Sequence, residues 1–162
     1  VSPDAGGAAR ARSYARVLNA PIAIIDKRRP EANIAEVHNV IGDVKGKTAI
    51  LVDDLIDTAG SITEAAGILI KFGAKEVYAF ATHGVLSGPA IERIKKSHLK
   101  ELVITNTIEI PQEKMISKIK VLSVGPILAE TIKRTHEGLP MGVVYEEMYK
   151  KLQRKMNKGS AP

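Results

Sequence analysis

Small and hydroxyl-bearing residues occupy positions 58–61 of the stretch "ILVDDLIDTAGSI", which begins with an apolar run. Such a loop between a strand and a helix gathers backbone N–H groups and the positive helix end around one point, which suits a phosphate. Thr58 and Ser61 add hydroxyl donors, and Gly60 permits a positive φ and close ligand approach. An ordinary capped turn explains the same features equally well. The sequence contains no G-x-x-x-x-G-K-[ST] pattern, so a Walker A phosphate loop is excluded.

Three acids stand in the same stretch, and they should repel an anion. Asp53 and Asp54 come where the apolar run ends, and Asp57 follows shortly after. Adjacent carboxylates are costly to bury unless they are paired or hydrogen-bonded. They can accept hydrogen bonds from sugar hydroxyls or lie beside a divalent cation, and an exposed acidic turn is the alternative.

Two further segments carry charged residues after apolar runs. Lys27, Arg28 and Arg29 precede Pro30, which predicts a basic loop able to close over a transferring phosphoryl group. A solvated charge run is the usual explanation for such a cluster. Asp4 precedes two glycines, where an aspartate is most often a turn residue or a helix cap.

The composition is that of a soluble globular chain with one domain. It has 162 residues, 44% hydrophobic and 26% charged, and no cysteine, which excludes disulfides and thiolate chemistry. No apolar run approaches the ~20 residues of a membrane span, and a cytoplasmic protein is expected. The net charge of +6 leaves an RNA-binding regulator open, but two Phe and no Trp give few stacking surfaces. The four histidines are scattered without metal-ligand spacing.

Apolar runs alternate with helical patterns along the chain, which predicts an α/β fold with parallel βαβ units. The predicted helices are 8–18, 62–72, 89–96, 125–136 and 145–158. The predicted strands are 21–25, 34–42, 48–52, 76–84, 101–106 and 119–124. Thr58 or Ser61 is the expected cap of the second helix, and Gly73 its stop. Because such sheets bind ligands at the carboxyl ends of their strands, loops 4–7, 27–29 and 53–61 should share one edge.

Five motifs in order resemble the C-terminal half of the ribose-phosphate diphosphokinase (phosphoribosyl pyrophosphate synthetase) family. They are "VSPDAGG", "DKRRP", "ILVDDLIDTAGSI", "LSGPA" and "LSVGPILAE". "DDLIDTAGS" is similar to the binding motif that type I phosphoribosyltransferases share, and the first two motifs narrow the match to the synthetases. The resemblance implies a type I phosphoribosyltransferase-like fold with a mostly parallel central sheet over residues 1–140, followed by a divergent basic tail, 141–162. It also implies that the first strand is largely missing and that the N-terminal half is absent.

The resemblance implies transfer of the diphosphoryl group of ATP to ribose 5-phosphate, with 5-phosphoribosyl 1-diphosphate and AMP as products. It assigns the 5-phosphate to Asp57, Thr58, Ala59, Gly60 and Ser61, where Ser61 replaces the commoner Thr. It assigns the ribose hydroxyls to Asp53 with Asp54, a magnesium ion to Asp4, and catalysis to Lys27 and Arg29. Arg29 is also expected to reach the sugar phosphate.

The resemblance also sets expectations for partners. In the family, most ATP-binding residues and a histidine ligand of Mg²⁺ lie in the N-terminal half, so this chain alone is expected to be inactive. A homo-oligomer built from dimers into a hexamer is expected, without nucleic-acid or membrane partners. Two alternatives stay open: a phosphoribosyltransferase that uses the same sugar-phosphate loop, and a non-catalytic associated or regulatory subunit. The presence of Lys27, Arg29 and residues 57–61 argues against the second.

Overall fold

The computed structural model of the chain describes residues 1–28 and 37–159. It divides into two compact units, Val1–Leu122 and Ser123–Pro162. The predicted α/β fold is confirmed, because parallel strands alternate with helices along the first unit. The predicted domain boundary at residue 140 stays a prediction.

A parallel four-stranded sheet forms the centre of the first unit. Its strands are β3 (Thr48–Ile56), β4 (Glu76–Gly84), β5 (Leu99–Thr105) and β6 (Ile119–Leu122), in the spatial order β3-β4-β5-β6. Two helices connect its strands: α2 (Gly60–Lys71) follows β3, and α3 (Ala90–Lys96) follows β4. The parallel arrangement puts the loop after β3 and the loop after β4 at the same edge of the sheet.

A hairpin of two antiparallel strands, β1 (Ile24–Arg28) and β2 (Val37–Ile41), lies beside this sheet. The sequence predicted a strand over 21–25 and a loop over 27–29, and the loop prediction is wrong for Lys27 and Arg28, which belong to β1. Lys27 pairs with His38 inside the hairpin, because an antiparallel partner extends the strand beyond the apolar run. Arg29 lies outside the described residues.

The first two residues join the hairpin to the sheet. The Ser2 N–H donates to the Ala23 carbonyl at 2.9 Å, and the Ser2 carbonyl accepts from the Ile25 N–H at 3.1 Å. On the other side, the Val1 carbonyl accepts from the Val52 N–H at 3.1 Å. Val1 and Ser2 therefore lie as a short parallel strand between β1 and β3, and they lead into the loop that contains Asp4.

Helices cover the sheet on both faces. On one face, Ile62, Ala65, Ala66 and Leu69 of α2 are buried in a core with Leu51 and Val77. Their spacing puts them on one side of the helix, and burial of a leucine or isoleucine contributes about 1.5–3 kcal/mol. On the other face, α1 (Ala8–Leu18) contacts β3, and its Ala11 is buried.

The second unit contains α4 (Gly125–His136) and α5 (Gly142–Gly159). Pro126 stands in the first turn of α4, where its missing N–H costs no helical hydrogen bond. Both helices agree with the sequence prediction, although α5 begins at Gly142 rather than Tyr145. Across the two described stretches, no helix combines the length and apolar character needed to cross a membrane.

Candidate functional site

A cavity of about 170 Å³ lies at the carboxyl end of β3. Its lining consists of Asp53, Leu55, Ile56, Asp57, Thr58, Ala59, Gly60, Ser61 and Ile62. Residues 57–61, here called the anion loop, supply most of this lining, and the side chains of Asp57, Thr58 and Ser61 are exposed. Every residue assigned to the 5-phosphate from the sequence therefore lies at one cavity.

The anion loop turns into α2 through a left-handed residue. Ala59 has φ 60° and ψ 13° and precedes the first helical residue, and no side chain caps the helix there. The Thr63 N–H donates to the Ala59 carbonyl at 3.2 Å. The N–H groups at the start of a helix, before such a bond, have no carbonyl partner within the helix. The predicted cap by Thr58 or Ser61 is wrong, because α2 begins after the left-handed Ala59 without a side-chain cap. A helix start of this kind suits an external anion.

Gly60 has a different role from the one the sequence suggested. The positive φ of the loop belongs to Ala59, and Gly60 is not among the glycines with positive φ. A Cβ placed on Gly60 would lie 3.3 Å from Nη1 of Arg93 and 3.8 Å from Oγ1 of Thr58. The glycine therefore provides space at the start of α2, where a side chain would crowd the loop.

Asp53 and Asp54, here called the acid pair, share one cation. Nη1 of Arg10 lies 2.6 Å from Oδ1 of Asp53, and its Nη2 lies 2.6 Å from Oδ2 of Asp54. The Asp53 side chain is 24% exposed and that of Asp54 66%. The exposed acidic turn considered from the sequence is therefore wrong for Asp53, which is ion-paired and largely covered.

The two acids have opposite pKa shifts. Burial raises the pKa of the Asp53 carboxyl above its ordinary value of 3.8, and the nearby Asp54 adds to the rise while Arg10 opposes it. For Asp54, partial desolvation opposes the shift, but the hydrogen bond with Asp53 and the charge of Arg10 lower its pKa overall. Asp54 therefore stays ionised to lower pH than Asp53.

Asp57 is tied to the loop that follows β4. Its carboxylate accepts a hydrogen bond from the Ser87 hydroxyl, and its carbonyl accepts from the Ser87 N–H at 3.0 Å. Leu86, the residue before Ser87, is fully buried and has φ 52°, which fixes the direction of this loop. Asp57 thus joins two loops at one edge of the sheet. Ser87 was noted only as part of the "LSGPA" motif, because its partner lies 30 positions away.

Arg93 of α3 places a guanidinium beside the anion loop. Its Nη1 donates to the Thr58 carbonyl at 3.0 Å. The sequence reasoning missed this residue, since its position in a short charged helix resembles an ordinary solvated face. A cation at the edge of the loop adds positive potential to that of the loop amides.

The remaining predicted residues are placed in different ways. The exposed Asp4 accepts a hydrogen bond from the Gly7 N–H at 2.8 Å through Oδ1, as a turn residue does. Arg10 connects the helix after this turn to Asp53, so loop 4–7 lies at the edge of the sheet where β3 ends, as predicted. The loop predicted over 53–61 is wrong for residues 53–56, because β3 continues to Ile56 through its pairing with β4. Within residues 1–28 and 37–159, no three histidine, cysteine or acidic side chains gather closely enough to hold a metal. Of Lys27, the structure describes only the backbone position in β1.

The fold and site define an α/β protein with an acid pair and an anion loop at the carboxyl edge of a parallel sheet. Comparison with known sequences then gives the family. The chain belongs to the phosphoribosyl synthetase-associated domain family, which it matches over residues 35–146.

Individual relatives agree with this family. A ribose-phosphate pyrophosphokinase of Caldanaerobacter subterraneus subsp. tengcongensis is 65% identical over 145 residues, which cover 90% of this chain and 46% of the relative. The Bacillus subtilis (strain 168) enzyme of the same name is 65% identical over 137 residues, 85% of this chain and 43% of the relative. The chain therefore spans less than half the length of these curated relatives.

A solved structure extends the agreement to three dimensions. The crystal structure of phosphoribosylpyrophosphate synthetase from Mycobacterium smegmatis superimposes with a TM-score of 0.78 at 43% sequence identity. The match covers 85% of this chain and 44% of that one. The resemblance read from the sequence motifs is confirmed.

Proposed function

We propose that the chain is the C-terminal part of a ribose-phosphate diphosphokinase. The enzyme transfers the diphosphoryl group of ATP to the 1-hydroxyl of ribose 5-phosphate, which gives 5-phosphoribosyl 1-diphosphate and AMP. The observation that carries the proposal is the single strand–loop–helix unit of β3 and α2. It brings Asp53 of the acid pair and the entire anion loop to one cavity.

Each end of ribose 5-phosphate has matching groups. The 5-phosphate binds to the amides of the anion loop, to the hydroxyls of Thr58 and Ser61, and near the Arg93 guanidinium. The ribose hydroxyls donate to the carboxylates of Asp53 and Asp54, which accept through either oxygen. An anion site and an acceptor site are thus separated along one ligand, which removes the conflict between acids and phosphate.

In the transfer step, the anomeric oxygen attacks the β-phosphorus of ATP in line with the bond to the α-phosphate. That bond breaks, AMP leaves, and the hydroxyl proton is lost. The protein contributes mostly by positioning and charge neutralisation in such transfers. Lys27, whose backbone lies in β1, and Arg29 are the proposed cations for the transferring group.

Asp4 is the proposed protein ligand of Mg²⁺ in this chain. Mg²⁺ in phosphoryl-transfer sites usually takes one or two carboxylates together with substrate phosphates and waters, and an exposed carboxylate fits this donor set. When bound, the ion neutralises phosphate charge. Oδ1 of Asp4 accepts the Gly7 N–H, and this hydrogen bond fixes the carboxylate at the start of α1.

The proposal includes the rest of the enzyme. The N-terminal half, which supplies most of the ATP contacts, is a required partner, and the assembled enzyme is a cytoplasmic homo-oligomer. The chain binds ribose 5-phosphate by itself, because it contains the cavity at β3 and α2. Because it spans less than half of its relatives, it catalyses the transfer only when joined to the N-terminal half.

The test separates binding from chemistry. Calorimetric titration of the chain with ribose 5-phosphate should give saturable binding, with inorganic phosphate as a weaker competitor. The chain joined to an N-terminal half is then incubated with ATP, Mg²⁺ and ribose 5-phosphate, and ³¹P NMR should show AMP and a new sugar diphosphate. Formation of a nucleotide from a nucleobase and 5-phosphoribosyl 1-diphosphate would instead identify a phosphoribosyltransferase. Binding without either product would identify a non-catalytic subunit.

A further inference from the structure

Arg10 bridges two acids that a strand would normally separate. Successive side chains of a β-strand point to opposite faces, so adjacent residues seldom converge on one partner. Asp53 and Asp54 nevertheless both pair with the guanidinium of Arg10, each at 2.6 Å through a different nitrogen. Arg10 belongs to α1, and its side chain, which reaches the acids on β3, is only 32% exposed.

The bridge uses one oxygen of each carboxylate. Oδ1 of Asp53 accepts from Arg10 and also from the Asp54 N–H at 2.9 Å, and Oδ2 of Asp54 accepts from Arg10. The hydrogen bonds of Arg10 leave out the second oxygen of each carboxylate. Two oxygens on neighbouring carboxylates can accept from two hydroxyls, and the 2- and 3-hydroxyls of ribose are adjacent donors.

A guanidinium is suited to this task because its donors have a fixed planar geometry. It sets the spacing of the two carboxylates and offsets the repulsion between them. A lysine ammonium supplies the charge but is a point donor on a flexible stem, so it does not fix both acids in the same way.

We propose that Arg10 is a positioning residue that orients the acid pair towards two adjacent sugar hydroxyls and thereby sets the preference for ribose over 2-deoxyribose phosphates. The inference rests on the proposed function, since it takes ribose 5-phosphate as the ligand. Arg10 acts through Asp53 and Asp54 and does not itself touch the sugar.

The test compares three ligands on the full chain by calorimetry: ribose 5-phosphate, 2-deoxyribose 5-phosphate and inorganic phosphate. Arg10→Gln should weaken ribose 5-phosphate binding about tenfold or more, the size of one hydrogen bond to a charged group. It should leave inorganic phosphate within about twofold, so that the preference for ribose over 2-deoxyribose collapses. Arg12→Gln is the matched control, because it removes the same charge from an exposed position of the same helix.

Arg10→Lys keeps the charge and tests the geometry if Arg10→Gln proves unfolded by circular dichroism. It should also lose the preference for ribose while binding inorganic phosphate normally. Equal weakening of all three ligands, or an unchanged preference for ribose in both variants, overturns the positioning role. If the wild-type chain fails to bind ribose 5-phosphate at all, the proposed function fails, and the role of Arg10 fails with it.

Discussion

Arg93 and Thr58 are 35 positions apart in the sequence, yet the guanidinium of one donates to the main-chain carbonyl of the other at 3.0 Å. The contact ties α3 to the anion loop from outside the "DDLIDTAGS" segment. It also places a positive charge beside Gly60, where any added side chain would meet Nη1 of Arg93. The anion-loop end of the candidate site is thus built from the anion loop and α3 together.

The first prediction concerns this arginine. Arg93→Ala should weaken ribose 5-phosphate binding roughly tenfold to a hundredfold, because the loop loses a charged hydrogen-bond donor and positive potential near the anion. Calorimetric titration of the variant measures the loss. Lys96→Ala, an exposed lysine on the same helix, should change the affinity less than twofold at moderate salt. Equal losses of affinity in both variants would show that binding depends on the net charge of α3 and not on the contact between Arg93 and Thr58.

The second prediction concerns the link between Ser87 and Asp57. A double-mutant cycle of Ser87→Ala and Asp57→Ala should give a coupling of about 1.5 kcal/mol in urea unfolding, since each change removes one partner of a hydrogen bond to a charged group. Ser87→Ala should also weaken phosphate binding, because the freed carboxylate can turn towards the anion. Additive effects on stability would mean that the hydrogen bond contributes nothing measurable.

The third prediction tests the space at Gly60. Gly60→Val should reduce ribose 5-phosphate binding below detection, because the new side chain crowds Arg93 and Thr58 at the mouth of the loop. Titration is again the measurement, with circular dichroism to establish folding. Gly142→Val is the control, since a Cβ at that position meets no atom within 4 Å. An unchanged affinity in Gly60→Val would refute the anion-loop assignment.

The fourth prediction is a pH dependence of sugar binding. Hydroxyl groups donate best to an ionised acceptor, and burial raises the pKa of Asp53 above 3.8. Affinity should therefore be full above that raised pKa and fall as the pH falls through it, while Asp54, whose pKa is lowered, remains ionised longer. The Asp53→Asn variant has no carboxyl group at this position. Its pH profile of affinity therefore shows the part of the pH dependence that comes from protonation of the ligand's phosphate. If wild type and Asp53→Asn show the same pH profile of affinity, Asp53 does not accept from the sugar in its ionised form.

Much of the fold follows from local sequence patterns. The apolar runs before residue 53 and over 76–84 predict buried parallel strands, and α1 and α4 have the bounds that the helical patterns indicate. The acids and small residues at 53–61 also pointed to one site, because a strand end and a helix start are local features. Gly73, with φ 88°, ends α2 as predicted.

Contacts between distant segments could not be predicted in the same way. Arg10 pairs with an acid 43 positions away, and Ser87 and Arg93 reach the anion loop from the next βα connection. Local patterns showed these residues only as members of charged or turn-forming segments. The cap of α2 failed for a related reason, since the left-handed Ala59 depends on how the whole loop is packed.

The acid pair and the anion loop lie on one covalent unit, the nine-residue strand β3 and the helix α2 that follows it almost at once. Only residues 57–59 separate the end of β3 from the start of α2, so a short stretch of backbone connects the acid pair to the anion loop. A connection this short limits how far apart the acid pair and the anion loop can lie. Under the proposed function, we expect this unit to bind a pentose 5-phosphate more tightly than a hexose phosphate, whose phosphate and hydroxyl pair are spaced differently.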